Sequence, residues 1–192
     1  MAKQIWIRHS FKGNGTDAPT NLLSPKGIEA AAEFGANLKN WFLRGEETIS
    51  YIGGSSHSRS LHTAITIAHA AGQDPKVLAS NSALGDESQF WAMTDKALFM
   101  ENLKNSDNAM METTRTMLST GNYNYLKGRM LEYALECSDL GNIILATHAP
   151  WLQLFFEAVT GVEYNGNAAE LDYVVVEVSG GKITLIETSL VR

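Results

Sequence analysis

The chain has 192 residues and a mass of 21.0 kDa, a length that predicts a single domain. Its 44% hydrophobic content excludes intrinsic disorder, and its net charge of −6 disfavours a general binder of nucleic acid or anionic membranes. The single cysteine excludes an internal disulfide and a metal site made of several cysteines. No apolar run reaches the length of a signal peptide core or a membrane span. We therefore expect a cytoplasmic protein that holds any anion at one concentrated point of positive charge.

The first third of the chain alternates between strand and helix patterns. Residues 3–8 (KQIWIR) predict a strand. Ser24 is a suitable helix N-cap with Pro25 at the first helical position, and apolar residues at helical spacing follow. Residues 49–53 predict a second strand, and the helix after it is expected to stop at Gly72.

The middle of the chain is less regular. Residues 76–80 predict a third strand, whereas residues 86–105 contain several aromatic residues without one clean period. A helical region is expected from about Asp107, with an interruption near Gly121. The stretch 90–111 has two explanations, which are packing in the core and a lid over a ligand site.

The last third returns to a regular alternation. Residues 142–147 (NIILAT) form a continuous apolar run, which is typical of a strand covered on both faces. Pro150 is expected to open another helix, and residues 171–178 and 182–187 predict an antiparallel hairpin. The whole pattern predicts an α/β fold, a three-layer α/β/α sandwich with a mostly parallel central sheet and helices on both faces.

Three of the predicted strand ends carry charged or imidazole side chains. The first strand ends in Arg8 and His9, the second leads into Arg59 at a helix start, and the strand 142–147 ends in His148. Sheets of this class bind ligands beyond the carboxyl ends of their strands. Arginine offers a planar fork of donors, and helix N-termini add free N–H groups. These residues predict a site for a phosphoryl group.

Five short segments resemble, in the same order, the motifs of the histidine phosphatase superfamily, which has the phosphoglycerate-mutase-like fold. The segments are Ile7-Arg8-His9-Ser10, Leu23-Ser24-Pro25-Lys26-Gly27, Ser55-Ser56-His57-Ser58-Arg59-Ser60-Leu61-His62-Thr63-Ala64, Leu84-Gly85-Asp86 and Ala146-Thr147-His148-Ala149. They extend from residue 5 to about residue 150, which is most of the chain.

The resemblance implies a metal-independent phosphatase that needs no cofactor and hydrolyses a phosphomonoester. His9 would attack phosphorus and become a phosphohistidine. Arg8, Arg59 and His148 would surround the phosphoryl oxygens and stabilise their charge. The substrate would be a phosphorylated small molecule or a phosphoprotein.

The resemblance also assigns an acid and a loop residue, and the sequence departs from the family pattern next to His9. Asp86 matches the proton donor, and the adjacent Glu87 takes that role if the register slips by one. Asn14 lies five residues after His9 and matches a loop asparagine that touches phosphate in relatives. Ser10 stands where relatives have a glycine that lets phosphate approach the backbone closely.

Three other functions stay open at this stage. A mutase is disfavoured because the resemblance would then imply a longer chain. A protein phosphohistidine phosphatase predicts a shallow site, whereas a small-molecule phosphatase predicts a pocket roofed by residues 90–125. Residues 88–125 are accordingly expected to be a cap or insertion in a single domain 1–192. A phosphate-binding or interaction module without turnover is motivated by Ser10 and by the short side chain of Asp86.

Several of these residues also have ordinary structural explanations. His148 alone would be a satisfied core histidine, and Asp86 alone a solvated loop acid. His62 and His69 lie two turns apart on one predicted helix, too far apart to share a metal ion without another ligand. They indicate a polar helix face. Cys137 falls on an apolar helix face and is expected to be inert.

Overall fold

The computed structural model of the protein describes residues 2–105 and 110–190, except the side chains of residues 87, 103, 105 and 110. The helix start expected at Asp107 lies outside these residues. The strands are β1 (Ala2–Arg8), β2 (Ile49–Gly54), β3 (Lys76–Val77), β4 (Asn142–Thr147), β5 (Tyr173–Ser179) and β6 (Lys182–Thr188). The α-helices are α1 (Pro25–Trp41), α2 (Ser58–Ala70), α3 (Glu87–Met93), α4 (Lys96–Asn105), α5 (Met110–Met117), α6 (Thr120–Glu136) and α7 (Trp151–Thr160). A short 3-10 helix covers Ser82–Leu84.

The strands form one mixed sheet in the order β3-β2-β4-β1-β5-β6. β1 and β4 run parallel, as do β2 and its two neighbours, while β5 runs antiparallel to both β1 and β6. The prediction of a mostly parallel sheet with a closing hairpin is confirmed. The carboxyl ends of β1, β2 and β4 therefore lie at the same edge.

Alternate side chains of β1 face two separate layers of helices. Ile5 and Ile7 belong to a core formed with α1 and α2. Trp6 points to the opposite face and stacks on Phe155 of α7, with ring centroids 3.8 Å apart. The two cores give the predicted three-layer α/β/α architecture.

Serine caps fix the starts of two helices. Ser24 Oγ accepts a hydrogen bond from the Gly27 N–H at 3.0 Å, and α1 begins at the predicted Pro25. The interruption that we expected near Gly121 lies at residues 118–119, because Ser119 caps α6. Gly121 is inside the first turn of α6.

β3 is shorter than predicted. It consists of residues 76–77 rather than 76–80, although the Leu78 N–H still donates to the Ile52 carbonyl at 2.8 Å. Asn81 then caps the 3-10 helix by accepting from the Ala83 N–H. β3 lies at the edge of the described sheet beside β2, which leaves its length less constrained than that of a central strand.

Two further features concern the helices. Cys137 is buried at the C-terminal end of α6, on the predicted apolar face, and burial raises the pKa of its thiol. No helix among residues 2–105 and 110–190 combines the length and apolar character needed to cross a membrane.

Candidate active site

The sheet topology places three of the predicted residues next to one another. His9 follows β1 and His148 follows the adjacent parallel strand β4, so their rings meet with centroids 4.9 Å apart. Arg59 lies in the first turn of α2, directly after β2. Its Nε donates a hydrogen bond to His9 Nε2 at 3.2 Å.

His9 is held in one neutral form. Its Nδ1 lies 2.7 Å from the Ser10 carbonyl oxygen, which can only accept, so Nδ1 carries the proton. Nε2 then keeps its lone pair and accepts from Arg59. Burial lowers the pKa of His9 to about 3; the Ser10 hydrogen bond opposes this effect, and the charges of Arg59, Arg8 and Lys12 add to it. The imidazole is therefore neutral at pH 7, with a lone pair available for attack.

His148 is fixed by two buried serines. Its Nε2 is hydrogen-bonded to Ser55 Oγ at 2.6 Å and to Ser60 Oγ at 3.1 Å. Burial lowers the pKa of His148 to about 2, and the neighbouring His9 and Arg59 lower it further. The serines thus orient a neutral ring beside the ring of His9.

Arg8 is oriented by the segment that precedes β5. Its Nη1 donates to the Ala168 carbonyl at 2.5 Å, and its Nη2 donates to Glu170 Oε1 at 3.0 Å. The backbone of Arg8 is tied to the same segment, because its N–H donates to the Asp172 carbonyl at 2.9 Å. A residue from the last quarter of the chain therefore supplies the counter-ion of this arginine.

These side chains open into a cavity of about 260 Å³. Its polar lining consists of Arg8, His9, Lys12, Arg59, His148 and Glu170. Its apolar lining consists of Phe90, Trp91, Phe99, Met100, Ala149, Pro150 and Trp151. The volume approaches the lower end of small-molecule sites, which begins at roughly 300 Å³. The site is thus a pocket lined by charged and by apolar side chains, and these two sets of residues are called the charged wall and the apolar wall.

Described residues of the stretch 90–111 both pack in the core and line the cavity. Phe90 and Phe99 are 2% exposed and Met111 is fully buried, as core residues are. The partly exposed Trp91 and Met100 line the cavity together with Phe90 and Phe99.

The serine at position 10 is accommodated by the helix behind it. Ser10 is fully buried, and its Oγ donates to the Gly27 carbonyl at 2.8 Å. Its N–H donates to Thr63 Oγ1 at 3.0 Å. The hydroxyl therefore points toward α1, and Ser10 is not among the described residues that line the cavity.

Asp86 and Asn14, both predicted site residues, lie outside the described cavity lining. Asp86 Oδ1 accepts from the Gln89 N–H at 3.1 Å and caps α3. It follows Gly85, where an added Cβ would lie 2.8 Å from the His148 ring, so its backbone is close to the site. Asn14 is exposed, and its Oδ1 accepts from the Thr16 N–H at 2.8 Å. The side chain of Glu87, the alternative acid, is outside the described part of the structure.

Sequence reasoning missed Lys12 and Glu170, which both line the cavity. Lys12 is only three residues beyond His9, in a loop whose path the sequence does not specify. Glu170 carried a usable signal, because it immediately precedes the predicted antiparallel hairpin. A strand antiparallel to β1 must start at the edge where β1 ends, and that edge is the site.

The histidines of α2 raised the question of a metal site. Within the part of the chain that the structure describes, no three His, Cys, Asp or Glu side chains form a group that could hold a metal ion. His69 is exposed and His62 half-buried on α2.

Comparisons with known proteins place this geometry in a known fold. No family model and no curated protein sequence matches the chain. A phosphoglycerate mutase from Bacillus anthracis superposes with a TM-score of 0.62 at 17% identity, covering 98% of this chain and 92% of that one. The protein histidine phosphatase SixA, solved with tungstate, gives 0.62 at 12% identity, with coverages of 97% and 95%. Phosphoserine phosphatase from Entamoeba histolytica gives 0.58 at 18% identity, with coverages of 98% and 96%. The chain therefore has the phosphoglycerate-mutase-like fold.

Proposed function

We propose that the protein is a metal-independent phosphatase that hydrolyses a phosphomonoester through a phosphohistidine on His9. The observation that carries this proposal is the neutral imidazole of His9, whose Nε2 lone pair lies at the cavity beside Arg59. Arg8 and Lys12 add two further cationic groups to the same cavity. A nucleophile and groups that offset phosphoryl charge are what phosphoryl transfer to a side chain requires.

The reaction then proceeds in two balanced steps. His9 Nε2 attacks phosphorus as the P–O bond to the alcohol breaks, and the alcohol oxygen takes up a proton. Arg59 turns from Nε2 to a phosphoryl oxygen as the N–P bond forms. The Ser10 carbonyl, which accepts from Nδ1, stabilises the positive ring of the intermediate. Water then attacks phosphorus and the N–P bond breaks. One proton of the water returns to the group that protonated the alcohol, and hydrogen phosphate leaves a neutral His9.

Asp86 is our proposed source of the proton for the leaving alcohol, as the sequence resemblance implies. Its position next to Gly85, which packs against His148, supports this role, although the carboxylate caps α3 in the free protein. An alkyl leaving group needs a proton far more than a nitrophenolate does. Asp86→Asn should therefore slow hydrolysis of ethyl phosphate by about a hundredfold or more, and that of nitrophenyl phosphate much less. Equal losses on both substrates would reject Asp86 as the acid.

The main experiment measures phosphate release from nitrophenyl phosphate in the presence of a chelator. His9→Ala should lower kcat by at least about a thousandfold, whereas His69→Ala, which replaces an exposed histidine, should retain the wild-type rate. Brief incubation with a ³²P-labelled phosphomonoester should label the wild-type protein with an acid-labile, alkali-stable bond. Unchanged turnover in His9→Ala, or loss of turnover on chelation, would refute the proposal.

A second candidate is a phosphate-binding module without turnover, and the capping role of the Asp86 carboxylate favours it. In that case the wild-type protein would bind inorganic phosphate, but neither released phosphate nor a labelled histidine would be detected.

A further inference from the structure

We propose that the substrate of this site is the phosphate monoester of an uncharged alcohol that carries an aromatic ring, with no second anionic group. This inference rests on the proposed phosphatase function and names its substrate class. Two independent properties of the cavity carry it: the composition of its apolar wall and the charge balance of its polar wall.

The apolar wall is built from aromatic rings that hold one another in place. Phe90 contacts Trp91 and Phe99 edge-to-face, with ring centroids 4.9 and 5.4 Å apart. Trp91 and Phe99 close this triangle at 5.4 Å, and Trp151 packs on Phe90 at 5.3 Å. Edge-to-face geometry is the preferred contact between aromatic rings. The wall is therefore ordered before a ligand arrives.

The position of this wall determines which part of a substrate it contacts. His148 joins the two sides of the cavity, since its ring lies 4.9 Å from that of His9 and 6.1 Å from that of Trp151. We infer that a phosphoryl group bound at His9 Nε2 directs its alcohol toward the aromatic side, because the same cavity is lined by His9 and by these rings. A planar ring fits that surface because it can stack on or abut fixed rings at little entropic cost.

The charged wall balances a single phosphate group. Among the described side chains that line the cavity, Arg8, Lys12 and Arg59 supply three positive charges and Glu170 supplies one negative charge, which is a net of two positive charges. His9 and His148 add none, because burial keeps both rings neutral. A phosphomonoester carries a charge of nearly −2 at neutral pH.

Glu170 is consequently the residue that we assign to discrimination against further anionic groups. Its carboxylate is about two-thirds buried as the ion pair of Arg8 and lies in the cavity lining. A substrate with an additional carboxylate would meet this negative charge, and the described lining residues hold no positive charge beyond what the phosphate group already balances.

Three phosphate esters with primary alkoxy leaving groups test the proposal without large differences in chemical reactivity. Benzyl phosphate should exceed ethyl phosphate in kcat/KM by at least about tenfold, because burying one methylene in an apolar pocket already gives about tenfold. Phosphoglycolate, which adds a carboxylate, should fall below ethyl phosphate. Equal values for benzyl and ethyl phosphate, or a preference for phosphoglycolate, would overturn the proposal.

Two variants separate the two walls. Trp91→Leu should reduce the ratio of kcat/KM for benzyl phosphate to that for ethyl phosphate. Met100→Ser should reduce the same ratio, and this exposed position can be changed without destabilising the fold. Glu170→Gln should raise phosphoglycolate relative to ethyl phosphate by about tenfold, the size of one partly screened charge interaction. An unchanged ratio in Glu170→Gln would reject the assigned role of this residue.

Binding of phosphonates distinguishes failure of this inference from failure of the proposed function. Benzylphosphonate should bind at least about tenfold more tightly than methylphosphonate by calorimetry, and Trp91→Leu should remove the difference. If this preference is found without any turnover, the substrate class stands and the phosphatase function fails. If turnover is found and both phosphonates bind equally, the phosphatase function stands and the aromatic substrate is rejected.

Discussion

Lowering the pH from 6.5 to 5 should destabilise this protein through His9 and His148. In the unfolded chain a histidine takes up a proton near pH 6.5, whereas burial lowers the folded-state pKa to about 3 for His9 and about 2 for His148. Between these limits the unfolded state binds more protons than the folded state, so stability falls as pH falls. Both residues are almost fully buried, at 6% and 5% exposure, so solvent does not weaken the effect.

The size of the loss follows from the number of protons. Each buried imidazole contributes a slope that approaches about 1.4 kcal/mol per pH unit once the pH is well below 6.5. Integrated from pH 6.5 to 5 for two groups, the expected loss is about 3 kcal/mol. That is a large part of the roughly 5–15 kcal/mol that stabilises a typical domain. The range stops at pH 5 because carboxylates begin to titrate below it.

Urea denaturation followed by tryptophan fluorescence measures this loss directly. The buffers must be free of phosphate, because an anion that binds the folded state would add stability of its own. His9→Asn and His148→Asn should each remove about half of the slope between pH 6.5 and 5, and His69→Asn, at an exposed position, should retain it. A wild-type stability that does not change over this range would refute the reasoning. A full slope in both buried-site variants would do the same.

Three further predictions concern stability away from the cavity. Glu157 is 2% exposed and forms an ion pair with Arg115. Glu157→Gln should lower the free energy of unfolding in urea by about 3 kcal/mol, because it leaves a cation unpaired. A loss below about 1 kcal/mol would contradict this. Gly27→Ala should lower stability by about 3 kcal/mol or more, since a Cβ would lie 2.1 Å from the Phe11 carbonyl oxygen; wild-type thermal stability in this variant would show that α1 can shift. Ser10→Ala should cost about 1 kcal/mol by removing the hydrogen bond to the Gly27 carbonyl, as measured in the same urea assay, and no loss would mean that this bond is not formed.

The fold was predictable where local patterns and burial agree. The strand predicted at 142–147 has those bounds in β4, because a continuous apolar run fits a central strand covered by helices on both faces. β3 lies at the edge of the described sheet, so the apolar pattern alone did not determine where its pairing ends. The break before α6 depended on a side-chain cap at Ser119, which outweighed the weak helix propensity of Gly121.

The site was predictable to the extent that it follows from strand ends. His9, Arg59 and His148 come together because three neighbouring parallel strands end at one edge. The position of Lys12 depends on the path of a polar loop, which has no periodicity in the sequence. That of Glu170 depends on the pairing of β5 with β1: the sequence predicts the hairpin that follows Glu170, but not the strand with which this hairpin pairs.

The position of β1 in the sheet sets an order for assembly during synthesis. β1 is made well before its two partners, β4 and β5, which begin at residues 142 and 173. Arg8 receives its ion pair only when Glu170 has been made. A ribosome must therefore release more than 130 residues after β1 before this strand can be hydrogen-bonded on either side. Contacts of such long sequence separation slow folding, so a nascent chain arrested before β4 would expose an apolar strand, a natural target for chaperones.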